Sequence, residues 1–104
     1  MPYAPLLTDA EIVEGLAALP DWRREGDEIL RTIRCPTFPE AIALVNRVAE
    51  AAEAADHHPE ILIKWRHVTF TLTTHAADGL TAKDLGMAAT IDDIAGTKAA
   101  RPGE

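Results

Sequence analysis

The stretch Ile61-Leu62-Ile63-Lys64-Trp65-Arg66-His67-Val68-Thr69-Phe70-Thr71-Leu72-Thr73 decides the fold. In its second half, Val68, Phe70 and Leu72 alternate with His67, Thr69, Thr71 and Thr73. That period of two puts apolar side chains on one side of an extended strand and polar ones on the other. Ile61 to Trp65 reads as its partner strand, so the pair implies a sheet with one covered and one polar face. Upstream, Trp22 to Arg24 and Glu28 to Cys35 flank Gly26-Asp27, a good hairpin turn, and form a second pair.

Three segments start with one chemical signal. Thr8-Asp9-Ala10-Glu11, Thr37-Phe38-Pro39-Glu40 and Thr81-Ala82-Lys83-Asp84 each place Thr three residues before an acid. The hydroxyl and the carboxylate of such a capping box satisfy amide donors that a first helical turn leaves unpaired. The first helix is expected from Thr8 to Leu19, with Ile12, Val13, Leu16 and Leu19 on one side and Pro20 as its stop. The second carries Ala41, Leu44, Val45, Val48, Ala52 and Ala55 near the 3.6 period. The third is expected from Thr81 to Ala95, burying Met87, Ala88, Ile91, Ile94 and Ala95, with Gly96 as terminator. The expected fold is α+β: a four-stranded antiparallel sheet with three helices packed on one face, in the order α-β-β-α-β-β-α. The whole chain, residues 1–104, is expected to be one domain, with a frayed tail over 97–104.

The net charge of -7 opposes direct binding to a phosphate backbone, so no nucleic-acid partner is expected. No run of about 18 apolar residues marks a membrane span. The start, Met1-Pro2-Tyr3-Ala4-Pro5, lacks a signal-peptide pattern, and the single cysteine, Cys35, cannot make an internal disulfide. A cytoplasmic protein is expected. Cys35 reads as a small buried hydrophobe.

Histidine is the residue type with chemistry to offer. His57 and His58 follow the second helix and are held by Pro59, which disfavours helical dihedrals at His58. Adjacent side chains of an extended segment diverge, so one imidazole can enter a pocket while the other lines its rim. Glu53, one helical turn before His57, and Asp56, beside it, are the carboxylates placed to orient an imidazole. His75 follows the last strand, and His67 lies within it among threonines. Each residue also has a plainer reading. His-His-Pro can simply end a helix, where imidazolium suits the dipole. His75 alone would be structural, and His67 a solvated strand residue. Asp84 has a capping job, Glu53 a helix-face position, and Trp65 would ordinarily be core. Zinc takes three histidines and a water, but the His-x-x-x-His spacing that would signal it on one helix face is absent.

The run Glu53-x-x-x-His57-His58-Pro59, then Trp65 after five residues, His75 after nine and Asp84 after eight, resembles the signature of the pterin-4a-carbinolamine dehydratases. Leu19-Pro20-Asp21-Trp22, Val45-Asn46-Arg47-Val48-Ala49 and Leu72-Thr73-Thr74-His75 running to Gly79-Leu80-Thr81 are similar to that family too, so the resemblance spans roughly Leu6 to Ile94. It implies an antiparallel four-stranded sheet with helices on one side, and an oligomer, a homodimer or homotetramer. It implies dehydration of a 4a-hydroxytetrahydropterin carbinolamine, left by an aromatic amino acid hydroxylase, to quinonoid dihydropterin, without metal or organic cofactor. It makes His57, His58 and His75 the catalytic histidines, with Glu53, Asp84 and Trp65 as substrate-binding or orienting neighbours. Some dehydratase-like proteins instead act as binding or assembly partners, and others could take a different pterin. The histidine set, complete here, favours catalysis.

Overall fold

The two hairpins join through their second strands. In a computed structural model, which describes residues 5–99 and side chains as far as residue 96, the elements are α1 (Asp9–Ala17), β1 (Arg23–Glu25), β2 (Glu28–Arg34), α2 (Phe38–Ala55), β3 (Glu60–Lys64), β4 (His67–Leu72) and α3 (Ala82–Ala99). The sheet order is β1-β2-β4-β3, antiparallel throughout. The register sets Ile29 opposite Leu72 and Ile33 opposite Val68 on one face, and Leu30 opposite Thr71 and Thr32 opposite Thr69 on the other. On that second face the hydroxyls of Thr32 and Thr69 meet at 2.7 Å.

The alternation read in β4 is the alternation observed: Val68, Phe70 and Leu72 are fully buried. They lie beneath α2, which buries Ala41, Leu44, Val48 and Ala52, and α3, which buries Met87, Ala88, Ile91 and Ala95. Burying such apolar area, at about 25 cal/mol per Å², is the main favourable term available to a chain this small. Arg31 interrupts the apolar face of β2. Its guanidinium pairs with Asp92 of α3, which also accepts from the Trp22 indole at 2.7 Å. The strap thus ties the sheet to α3 without leaving a buried charge unpaired.

The helix starts behave as chemistry asks. Thr8 and Glu11 form the complete capping box, and the Thr37 hydroxyl accepts from the Glu40 amide at 3.2 Å. Three expectations need correction. Helix α1 ends at Ala17, and Val13 is exposed, because a residue 100° round the helix from the buried Ile12 faces solvent. Ala55 lies exposed at the last turn of α2. Gly96 does not stop α3, which runs to Ala99; a glycine inside a helix costs only about 1 kcal/mol, which the packing of Ile91 and Ala95 offsets. The first four residues and the tail beyond Ala99 lie outside the described residues.

Trp65 is not core. It occupies the two-residue turn between Lys64 and His67 with φ of +54° and is 65% exposed. Left-handed backbone is unusual for so bulky a residue. Its ring is covered by the Arg66 guanidinium at 4.4 Å and meets the His67 ring edge-on. Cys35 is buried, as expected.

Among the described residues, no helix is long and apolar enough to cross a membrane.

Candidate active site

The site forms where three chain segments end near one another. Helix α2 closes on Asp56, which takes the left-handed conformation (φ 52°, ψ 43°), and the amides of Asp56 and His57 return to carbonyls of the last turn. This reversal separates the two imidazoles. His57 turns inward, its side chain 11% exposed, while His58 folds back outside at 56%. The second segment is the end of β4. The isolated bridge of Thr74 with Gly79 closes a short 3-10 turn, His75–Ala77, that presents His75. The third is the start of α3.

Each of the first two histidines has its own carboxylate. His57 Nε2 lies 2.6 Å from Asp84 Oδ1, and His58 Nε2 lies 2.8 Å from Glu53 Oε1. Glu53 therefore serves the histidine five residues on, not the one a helical turn away, because the chain reverses at Asp56. Asp84 is fully buried. Its Oδ2 accepts from the Thr81 amide at 2.9 Å and the Thr74 hydroxyl at 2.8 Å. The carboxylate thus performs its capping job with one oxygen and meets His57 with the other. Both carboxylate oxygens accept, so the network makes Nε2 the protonated nitrogen of a neutral His57. Its Nδ1 is left for other partners.

His57, His58 and His75 line one open cavity of about 310 Å³ together with Asp56, Thr73, Thr74, Ala76 and Lys83. The lower range of small-molecule pockets begins near 300 Å³. A second cleft of about 180 Å³, lined by Asp27, Glu28, Thr73, His75, Asp78 and Gly79, adjoins it across Thr73 and His75. Five of the six residues expected at the site thus surround this cavity, three lining it and Glu53 and Asp84 bonded to two of those. Trp65 does not line it. It sits at the far end of the β3–β4 hairpin from Pro59, about 16 Å away along a five-residue strand. His67 shares that end, opposite Lys64 and Arg34 in the sheet register.

Sequence reading missed Thr74, Thr81 and Lys83. The signal for Thr74 was present: positions 68, 70 and 72 face inward, and the same parity carries 74 to the buried side. Lys83 had no signal, since its approach to the cavity depends on how α3 docks. Among the described residues, no group of three His, Cys, Asp or Glu side chains is arranged to hold a metal ion.

The fold is α+β, and it brings three imidazoles, two of them bonded to carboxylates, to one open cavity. The chain belongs to the pterin 4 alpha carbinolamine dehydratase family, whose model matches residues 5–94. A relative from Nocardia farcinica named as a candidate pterin-4-alpha-carbinolamine dehydratase is 60% identical over 86% of this chain and 95% of its own. One from Roseiflexus castenholzii, named likewise, is 57% identical over 88% and 98%. Among solved structures, a transcriptional coactivator/pterin dehydratase from Brucella melitensis superposes with a TM-score of 0.83 at 35% identity, over 86% of this chain and 98% of that one. A pterin dehydratase-like protein described as a RuBisCO assembly factor in the alpha-carboxysome has a TM-score of 0.64 at 22% identity, over 73% and 90%, and shares the fold.

Proposed function

We propose that the chain is a hydro-lyase that dehydrates a 4a-hydroxytetrahydropterin to quinonoid dihydropterin, recycling the pterin used by an aromatic amino acid hydroxylase in the cytoplasm. The observation carrying this reading is the meeting of His57, His58 and His75 at one cavity, with two of the three held by carboxylates.

The reaction breaks the C4a–O bond, removes the N5 proton and forms the C4a=N5 double bond. The hydroxyl needs a proton so that water leaves, and N5 needs a base. Both are within reach of imidazole near neutral pH. His57 suits the base: with Nε2–H given to Asp84, its Nδ1 lone pair accepts the N5 proton, and the carboxylate stabilises the imidazolium that forms, as in other Asp–His pairs. His75, exposed at the 3-10 turn, suits the acid that protonates the leaving hydroxyl and is recharged from water. His58, held by Glu53, binds the pterin. Such assistance typically contributes about 10²–10⁴-fold.

The protein is also proposed to associate as a homodimer or homotetramer. Edge strand β3 exposes Ile61, Leu62 and Ile63, whereas the other edge, β1, is three charged residues, Arg23, Arg24 and Glu25. An edge whose centre is apolar, with one charge of each sign at its ends, invites pairing.

The test is stopped-flow dehydration of a carbinolamine generated by a hydroxylase. Acceleration proportional to enzyme supports the reading. A rate equal to the uncatalysed one, with folded protein, overturns it.

A further inference from the structure

We propose that Thr74 and Thr81 are positioning residues: a directed chain of hydroxyls that clamps Asp84 and so fixes the protonation pattern of His57. The bearing of this clamp on dehydration rests on the function proposed above; its bearing on His57 does not.

The direction of every hydrogen in the cluster can be worked out. The Lys83 amide donates to Thr81 Oγ1 at 3.2 Å. Thr74 Oγ1 has one hydrogen, and it goes to Asp84 Oδ2 at 2.8 Å. The 2.8 Å contact between the two hydroxyls must then be filled by the Thr81 hydrogen, with Thr74 accepting. The result is a one-way run, Lys83 amide to Thr81 to Thr74 to Asp84, ending on the oxygen that does not face His57. Each member polarises the next, and the Thr81–Thr74 bond cannot reverse without leaving two acceptors, Thr74 Oγ1 and Asp84 Oδ2, face to face.

Burial makes the run consequential. Thr81 and Asp84 are 0% exposed and Thr74 is 5% exposed, so water does not compete for these bonds. Thr74 cannot drift, because its amide and carbonyl are both tied to Gly79 and its carbonyl also takes the Ala77 amide. The Thr81 amide reaches the same Oδ2 at 2.9 Å. Two donors arriving from different elements hold the plane of the carboxylate, and Oδ1 is thereby aimed at His57. Cap geometry alone would need only the Thr81 amide. The Thr74 hydroxyl, which comes from the other side of the site, is the part that capping leaves unexplained.

The test is nitrogen-15 NMR of histidine-labelled full-length protein, combined with kinetics. In the wild type, His57 is expected in the Nε2–H form with a low-field N–H proton; the Nδ1–H form overturns the proposal without any variant. Thr74→Val keeps shape and removes the donor. It is expected to weaken the low-field signal and mix the tautomers, and to lower kcat roughly 10- to 100-fold with KM within about two-fold. Thr74→Ser, which keeps the hydroxyl, is expected to restore both. If Thr74→Val lowers only the melting temperature and leaves the His57 signals in place, or if Ser behaves as Val does, the clamp is packing and the proposal fails. Wild-type protein without dehydratase activity would sink the proposed function, while the NMR result still decides the clamp.

Discussion

His57 and Asp84 stand 27 residues apart in the chain and 2.6 Å apart in space, and the bond between them joins the end of α2 to the start of α3. Asp84 is fully buried there, and all three of its partners are donors. Asp84→Asn sets an amide N–H₂ against at least one of those donors. Leaving a buried donor without an acceptor costs about 1–3 kcal/mol, so the urea midpoint is expected to fall accordingly. Turnover is expected to fall further than stability explains, by roughly 10-fold or more in kcat. A variant with native turnover would separate Asp84 from the chemistry.

Replacing His57 and His75 together by Ala removes the proposed base and acid while both backbones keep their places. Dehydration is expected to drop by about 10²–10⁴-fold, towards the uncatalysed rate. The single variants should each cost nearly as much as the pair, because the two groups act on one elimination and effects within such a unit are not additive. Stopped-flow absorbance of the carbinolamine measures it, with circular dichroism confirming the fold.

The pair of His58 with Glu53 is the solvent-facing counterpart, with side chains 56% and 82% exposed. Water screens such a pair, and exposed ion pairs contribute about 0–1 kcal/mol. Glu53→Gln should therefore leave the melting temperature almost unchanged. If His58 binds the pterin, the substitution raises KM several-fold with little change in kcat, which initial-rate kinetics over a range of pterin concentrations would show.

Much of this was readable before any coordinates. The alternation from Val68 to Leu72 placed one covered face on the sheet, the Thr-to-acid spacings located all three helix starts, and Pro59 marked His57 and His58 as lying beyond the end of α2. These are local signals, carried by steric periods of two and 3.6 residues. What stayed hidden depends on distance. Asp84 could be read as a cap but not as a bridge to His57, because nothing in residues 81–84 records where α2 ends. Glu53 was placed beside an imidazole, yet the left-handed turn at Asp56 decided which one. The size of Trp65 suits a core, and the family resemblance makes it a neighbour of the substrate; the hairpin register, which neither reading contains, leaves it at a turn.

Trp65 carries the next prediction. It lies outside the histidine cavity in this chain, and its ring meets the guanidinium of Arg66 and the ring of His67, its neighbours. Trp65→Ala is expected to leave kcat and KM within about two-fold, since surface substitutions away from special features have small effects. A large loss of activity would mean that the indole reaches a cavity after all, and within an oligomer that cavity would belong to another copy.

The last prediction concerns how copies meet. Strand β3 reads Glu60-Ile61-Leu62-Ile63-Lys64, and an antiparallel pairing of this strand with itself about Leu62 sets Glu60 opposite Lys64 twice and Ile61 opposite Ile63. Opposite charges across an antiparallel pair contribute roughly 0.2–1 kcal/mol, and like charges oppose association by similar amounts. The isologous geometry doubles both effects. Lys64→Glu is therefore expected to shift sedimentation towards the monomer, and Glu60→Lys with Lys64→Glu in one chain to restore the wild-type mass, since exchanging the two charges preserves the complementarity. Neither residue lines the histidine cavity, so carbinolamine turnover at high protein concentration serves as the control for an intact fold. Sedimentation unaffected by the single variant would move the interface to another surface, because no arrangement pairing β3 with itself in this register can accept four glutamates in two facing pairs without weakening.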